Sequence, residues 1–309
     1  MVPHSCAETD SGWPAEGGAP RILYIMGTGR SGTTILEILL ANNPGVFGVG
    51  EVTYIFQDGF IEDVTCSCGE QTSSCDLWSR IRQLCDWSRD DISDLFTLFG
   101  KIAGHSRFPQ VATGLVSQGA KKQFQQVNEC LFGAVAELTK TSVIVDSSKR
   151  PGRALALFRA FPGRVQVICL TRSPAGLVAA FQKSDTAEQL PKKPLGACAY
   201  YLYAMACLRI AAWQLGTRAL LIRYEDLMSE PQETLGKIES WGGIDLSTVK
   251  LKIAENQWLE VGHIVTGNRF RRKGRVQFSP SSQSTPMPTG ISARPVVWFM
   301  NLYRSLLGF

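Results

Sequence analysis

The chain has 309 residues, of which 44% are hydrophobic and 19% charged, a globular mixture that excludes disordered and collagen-like polymers. Lys and Arg outnumber Asp and Glu by 32 to 27; the net charge of +5 suits an anionic small ligand and is too weak a basic bias for a nucleic-acid binder. Nine cysteines, an odd number in a chain of this length, do not read as a secreted disulfide framework.

Residues 1–20 are rich in Gly, Pro, Ser and acidic side chains and lack the basic and apolar regions of a signal peptide. They are expected to be a loose tail ahead of a single domain over 21–309. Arg21–Met26 is an apolar run closing on Gly27, the pattern of a buried strand, and Thr33–Ala41 then sets Ile35, Leu36, Leu39 and Leu40 at helical spacing. Pro44–Gly50 is too glycine-rich to read as a strand. Cys66, Cys68 and Cys75 cluster, with Cys85 following. Zinc wants four ligands at fitting spacings, and a C-x-C with one more Cys and no His nearby matches poorly, so the expectation is packed or free thiols and no metal.

Residues 76–140 read as helical. Val143–Val145 is a second strand ending at Asp146, and a helix over 151–160 opens on Pro151 and stops before Pro162-Gly163. Val165–Leu170 is a third strand, after which Ser173 is placed to cap a helix with Pro174 at its first position. The longest apolar stretch, Leu195–Leu208, is about 14 residues, short of a membrane span, and reads as a buried helix. Ala219–Ile222 is a fourth strand, followed by a helix after Pro231. A Ser/Pro-rich segment covers 279–295, and Val296–Phe309 fits a closing amphipathic helix. Strands alternating with helices predict an α/β, three-layer fold with a mostly parallel central sheet flanked by helices. Ligands in such sheets bind at the carboxyl ends of the strands, here the Gly27 loop, Asp146–Arg150, Thr171–Ser173 and Tyr224–Asp226.

The loop Gly27-Thr28-Gly29-Arg30-Ser31-Gly32-Thr33-Thr34 admits three readings. As Gly-x-Gly-x-x-Gly it fits a dinucleotide fold, with Glu51 at a suitable distance; as Gly-x-x-x-x-Gly-x-Thr it fits a phosphate loop with Thr33 in place of the Lys; the third is a phosphosulfate loop. All three hold an anion on backbone N–H groups at a helix N-terminus. Here the loop cation is Arg30, whose planar fork suits phosphate or sulfate, flanked by the hydroxyls of Ser31, Thr33 and Thr34. A nucleoside-triphosphate enzyme would want a Lys and a Mg²⁺ site as well.

Four segments in order resemble the sulfotransferases that use 3′-phosphoadenosine 5′-phosphosulfate (PAPS): Arg30–Thr34, Leu170–Pro174, Arg223–Leu227 and Gly267–Gly274. Val145–Lys149 and the stretch from Cys66 to Trp78 are similar to bacterial members. The resemblance implies a P-loop NTPase-like sulfotransferase fold and transfer of a sulfuryl group from PAPS to a hydroxyl or amine of a small-molecule or glycan acceptor. It implies no metal requirement. Gly29, Arg30, Ser31, Gly32, Thr33 and Thr34 would hold the 5′-phosphosulfate and Arg172 the 3′-phosphate. The family's helix Ser falls on Ala180, so Ser184, one turn on, is the candidate replacement. Arg271, Arg272, Lys273 and Gly274 would close over the nucleotide. Glu51 is the candidate base, with His263 its rival, and Lys149 and Arg30 are candidate catalytic cations; His105, in a Gly-rich polar stretch, reads as solvated. Residues 54–140 would form a helical insertion on the substrate side. The further expectations are a cytoplasmic protein with no membrane span and no nucleic acid. The alternatives are a P-loop kinase-like phosphotransferase using ATP, a non-catalytic nucleotide-binding protein and, third, an NAD enzyme.

Overall fold

The computed structural model describes residues 18–182, 194–267, 272–280 and 293–309. Its centre is a five-stranded parallel sheet in the order β2-β3-β1-β4-β5, built from β1 (Arg21–Gly27), β2 (Val46–Gly48), β3 (Val143–Lys149), β4 (Val165–Thr171) and β5 (Ala219–Arg223). The strands read as continuous apolar runs because both faces are covered. On β1, Ile22, Tyr24 and Met26 enter one core while Leu23 and Ile25 enter the other; on β4, Val165, Val167 and Cys169 alternate in the same way with Ile168 and Leu170.

The smaller core lies under α1 (Thr33–Ala41), α9 (Tyr224–Ser229), α10 (Pro231–Gly242) and α11 (Ser247–Ala254), together with the antiparallel pair β6 (Trp258–Glu260) and β7 (Arg275–Gln277). The larger core holds α2 (Asp76–Leu84), α3 (Arg89–Ala103), α4 (Phe108–Ala112), α5 (Gln118–Thr139), α6 (Pro151–Ala160), α7 (Pro174–Gln182), α8 (Pro194–Leu215) and α12 (Ala293–Leu306). The three-layer α/β expectation holds.

Two expectations are corrected. Residues 46–48 do form a strand: β2 needs only three residues to pair with β3 at the sheet edge, and its glycine ends short pairing rather than preventing it. The apolar helix is also longer than its first charged residue suggests. α8 runs through Arg209 and is, by length and composition, long enough to cross a membrane. Its Tyr201, Met205, Leu208 and Ala211 are fully buried in the larger core against α6, α7 and α12. That packing accounts for one face of the helix, while Leu195, Ile210 and Trp213 on it stay exposed.

Candidate active site

Because all five strands are parallel, the segments after them converge on one edge of the sheet. The turn after β1 places Arg30 at φ 65° and Gly32 at φ 95°, and α1 begins at Thr33. Only glycine fits at 32, since a Cβ there would stand 2.3 Å from the Tyr224 ring. The turn is closed by the Ser31 hydroxyl donating to the Thr28 carbonyl at 2.7 Å. It is braced from two sides: Gly29 N–H donates to the Tyr200 hydroxyl at 2.7 Å, and Arg172 Nη1 donates to the Arg30 carbonyl at 2.8 Å.

Arg172 stacks over the Tyr224 ring at 4.4 Å, and Glu225 accepts a hydrogen bond from Ser173 N–H at 2.8 Å. Ser173 also caps α7 as its sequence implies, accepting from Gly176 N–H. Burial lowers the Arg172 pKa, the mark of a guanidinium held in a partly dry place. Three buried polar atoms there, Thr28 Oγ1, Thr33 Oγ1 and Arg172 Nε, have no hydrogen-bond partner among the described residues. Nor does α1 have a side-chain cap or an acidic residue in its first turn. Open backbone donors, orphaned hydroxyls and a desolvated cation together fit a phosphate or sulfate group.

Beside this loop lies a carboxylate. After β2 the chain passes through Gly50, at φ 73°, to Glu51, which is only 7% exposed and ion-paired with Lys149 at the end of β3. Lys149 itself sits at φ 68°, so both candidate cations, Arg30 and Lys149, adopt a left-handed backbone that disfavours side chains. Such outliers persist where surrounding structure holds them, often at functional sites. Thr266 Oγ1 donates to the Glu51 carbonyl at 2.9 Å. Gly267 is so close that a Cβ there would lie 3.2 Å from Glu51 Oε1 and 3.7 Å from Thr34 Oγ1. The root of the 267–274 loop therefore lies at the site. Arg271 and Ser184 lie outside the described residues. Arg272 and Lys273 are exposed, and Gly274 accepts from Val261 N–H at 2.9 Å just ahead of β7.

A second carboxyl group underlies the first. Glu37, on the inner face of α1, is fully buried and accepts from Gly50 N–H at 2.5 Å and from the Ser147 hydroxyl at 2.6 Å. Burial pushes its pKa up to about 8 against the pull of those two hydrogen bonds. Glu37 thus ties the helix behind the anion loop to the two strand ends that present Glu51 and Lys149.

Sequence reasoning missed Glu37, Tyr200 and Tyr224. Glu37 had a signal, a lone acid between Leu36 and Ile38 on an apolar helix. Tyr224 lay inside a matched segment, but only the fold shows it filling the space above Gly32. Tyr200 gave no signal, because nothing local says which turn of α8 meets residue 29. The reading of His105 as solvated is corrected: it is half-buried, edge-on to Tyr200 with ring centres 5.8 Å apart, and its carbonyl accepts from the Tyr203 hydroxyl at 2.5 Å.

His263 is also elsewhere than its place before the 267–274 loop suggested. Its Nδ1 lies 3.2 Å from Cys75 Sγ and 4.0 Å from Cys66 Sγ, while its carbonyl accepts from Trp78 Nε1 at 2.8 Å. The ring faces thiols, which corrects the reading that no His accompanies the cysteine cluster. Cys85 is likewise not a free thiol; it is disulfide-bonded to Cys130.

The profile of the Sulfotransferase family matches residues 20–248. Among solved structures the chain is similar to the sulfotransferase domain from the curacin biosynthetic pathway, at 17% identity and a TM-score of 0.53, covering 94% of this chain and 98% of that one. It is also similar to the sulfotransferase domain of the Synechococcus PCC 7002 olefin synthase (15% identity, TM-score 0.44, 96% and 98% covered). A third is the sulfotransferase STF1 of Mycobacterium tuberculosis H37Rv (16%, TM-score 0.45, 76% and 70% covered). No curated protein matches the sequence. The first likeness supports the fold, and the profile, spanning most of the chain, settles the kinship: this protein belongs to the sulfotransferase family.

Proposed function

We propose that the protein transfers a sulfuryl group from PAPS to a hydroxyl or amine of a small-molecule or glycan acceptor. The observation that carries this reading is the joining of a desolvated Arg172, orphaned hydroxyls and an uncapped helix N-terminus to the buried Glu51–Lys149 pair at one sheet edge. When bound, PAPS supplies an activated sulfuryl group on a phosphate leaving group. Thr33, Thr34 and the loop N–H groups hold its 5′ end, and Arg172 binds the 3′-phosphate. Arg30 and Lys149 balance the charge that gathers on the leaving side, as fixed cations do in other in-line transfers. Glu51 takes the proton from the acceptor nucleophile, and the Gly50–Glu37 hydrogen bond keeps its backbone in register.

The test is thermal unfolding with adenosine 3′,5′-bisphosphate compared with AMP, ATP plus Mg²⁺, and NAD. A ligand at 100 times its dissociation constant adds about 2.7 kcal/mol. Selective stabilisation by the bisphosphate is expected. Stabilisation by ATP with Mg²⁺ alone would replace this reading with a phosphotransferase.

A further inference from the structure

Cys66, Cys68, Cys75 and His263 form a cluster apart from the anion loop, and the reaction proposed above uses none of them. One ligand atom from each lies within 4.8 Å of all the others. The Cys66–Cys75 and Cys68–Cys75 sulfur separations are both 3.7 Å, and His263 Nδ1 stands 3.2 and 4.0 Å from Cys75 and Cys66. A tetrahedral zinc ion with bonds of about 2.3 Å to sulfur and 2.0–2.1 Å to nitrogen has edges of about 3.8 Å between sulfurs and about 3.6 Å from sulfur to nitrogen. The four separations named lie close to those edges, and among these three thiols no disulfide is formed.

The backbone around the cluster is built to hold that shape. Gly69, at φ 97°, follows Cys68 and donates its N–H to the Cys66 carbonyl at 3.0 Å, which turns both sulfurs toward one point. Cys75 stands at the start of α2. Ser67 pins the partner segment three times: its N–H donates to the Ile264 carbonyl at 3.0 Å, its hydroxyl donates to the Gly262 carbonyl at 2.6 Å, and that hydroxyl accepts from Ile264 N–H at 2.7 Å. With Trp78 on the His263 carbonyl, these bonds orient the ligands from outside, as the outer partners of metal sites do.

We propose that Cys66, Cys68, Cys75 and His263 bind one structural zinc ion. Binding releases the three thiol protons and leaves three thiolates and a neutral imidazole on Zn²⁺, with no redox change and a site charge of −1. Four protein ligands leave no open position, so the ion fastens structure and does not meet substrate. It joins residues 66–75 to residues 262–266, whose His263 lies 188 positions beyond Cys75. The latter segment carries Ile264, packed on Gly50, and Thr266, bonded to Glu51. The ion therefore secures the carboxylate side of the site, whatever reaction that site performs.

The test is metal analysis of the full chain purified without chelator, together with the spectrum after exchange to Co²⁺. One zinc per chain is expected, and the cobalt form should show thiolate-to-metal charge transfer and the strong visible bands of a tetrahedral ion. Cys75→Ser and His263→Ala should lose the metal. If they do not fold, the exposed-ligand variant Cys68→Ser serves, with weakened zinc retention against a chelator and an altered cobalt spectrum. Zinc far below one equivalent after reconstitution would overturn the proposal. So would an octahedral cobalt spectrum without charge transfer, or a disulfide within this trio in the freshly isolated protein. None of these readouts depends on PAPS or on an acceptor, so failure here and failure of the sulfuryl-transfer reading are separable.

Discussion

Strand β3 carries two ion pairs, at Asp146 and Lys149, and they are built to opposite ends. Asp146 is fully buried; its Oδ1 accepts from the N–H and hydroxyl of Ser148, and its Oδ2 accepts from Arg153 Nε at 2.9 Å. Arg153 is fully buried too, donating to Asn128 Oδ1 at 2.7 Å and lying over the rings of Phe99 and Phe124 at 4.9 and 5.5 Å. That pair bolts α3, α5 and α6 to the sheet, although Arg153 Nη1 has no hydrogen-bond partner among the described residues. One turn of strand later, Lys149 and Glu51 meet at the sheet edge, each reached through a left-handed backbone position, at 149 and at Gly50. Side chains 17% and 9% exposed keep that pair in touch with the cleft. Complete burial among packed helices gives rigidity, and a pair that keeps some exposure to the cleft is left for an incoming group.

The sharpest way to break the comparison is Arg153→Ala. Stranding the Asp146 charge should cost about 3–5 kcal/mol in denaturant unfolding, whereas Asp146→Leu with Arg153→Met should recover most of it, because a buried pair is weak net support compared with an apolar replacement. Next is Glu51→Gln. Once an acceptor is found by labelled-sulfate transfer, turnover should fall about 10²–10⁴-fold while the unfolding midpoint barely moves. A large stability loss with intact turnover would make Glu51 structural like Asp146.

Arg172→Ala should weaken calorimetric binding of adenosine 3′,5′-bisphosphate by about 1.5–3 kcal/mol, the worth of a charge-assisted hydrogen bond, and should weaken AMP binding less, through the lost brace on the Arg30 carbonyl alone. The last effect is small per pH unit and is read as a slope. Glu37, raised from the ordinary 4.5 to about 8, holds a proton in the folded protein that the unfolded chain has released. Its contribution is therefore fully present below about pH 4.5 and is lost as pH rises toward 8, at no more than about 1.4 kcal/mol per pH unit. Glu37→Gln should flatten that part of the stability profile, measured by urea unfolding at several pH values. An unchanged profile would mean that the carboxyl is ionised in the fold.

The sheet was legible in the sequence because burial on both faces leaves uninterrupted apolar runs, as in Arg21–Met26 and Val165–Leu170. The anion loop was legible because its glycines, hydroxyls and Arg30 sit side by side along the chain. What stayed hidden depends on distant pairing. β2 is too short to declare itself. Tyr200 meets Gly29 only because α8 crosses behind the loop, and the imidazole beside Cys75 arrives from far downstream. Local spacing rules see ligands a few residues apart and are blind to one delivered by topology.

β2 and β3 are adjacent and parallel, so everything between Gly48 and Val143 is one crossover, although a dozen residues would bring the chain back. The surplus has no duty in the sheet's register. Its outward loops can be lengthened or recontoured while the edge that holds Arg30 and Arg172 stays as it is, but its helices are fixed to the larger core, where Asn128, Phe99 and Phe124 hold Arg153. Such freedom has its own hazard, since the start of a long crossover must be fastened at a fixed place or the carboxylate at its base would wander. The knot of Cys66, Cys75 and His263 is tied near the beginning of the crossover and reaches Glu51 through the segment that carries Thr266.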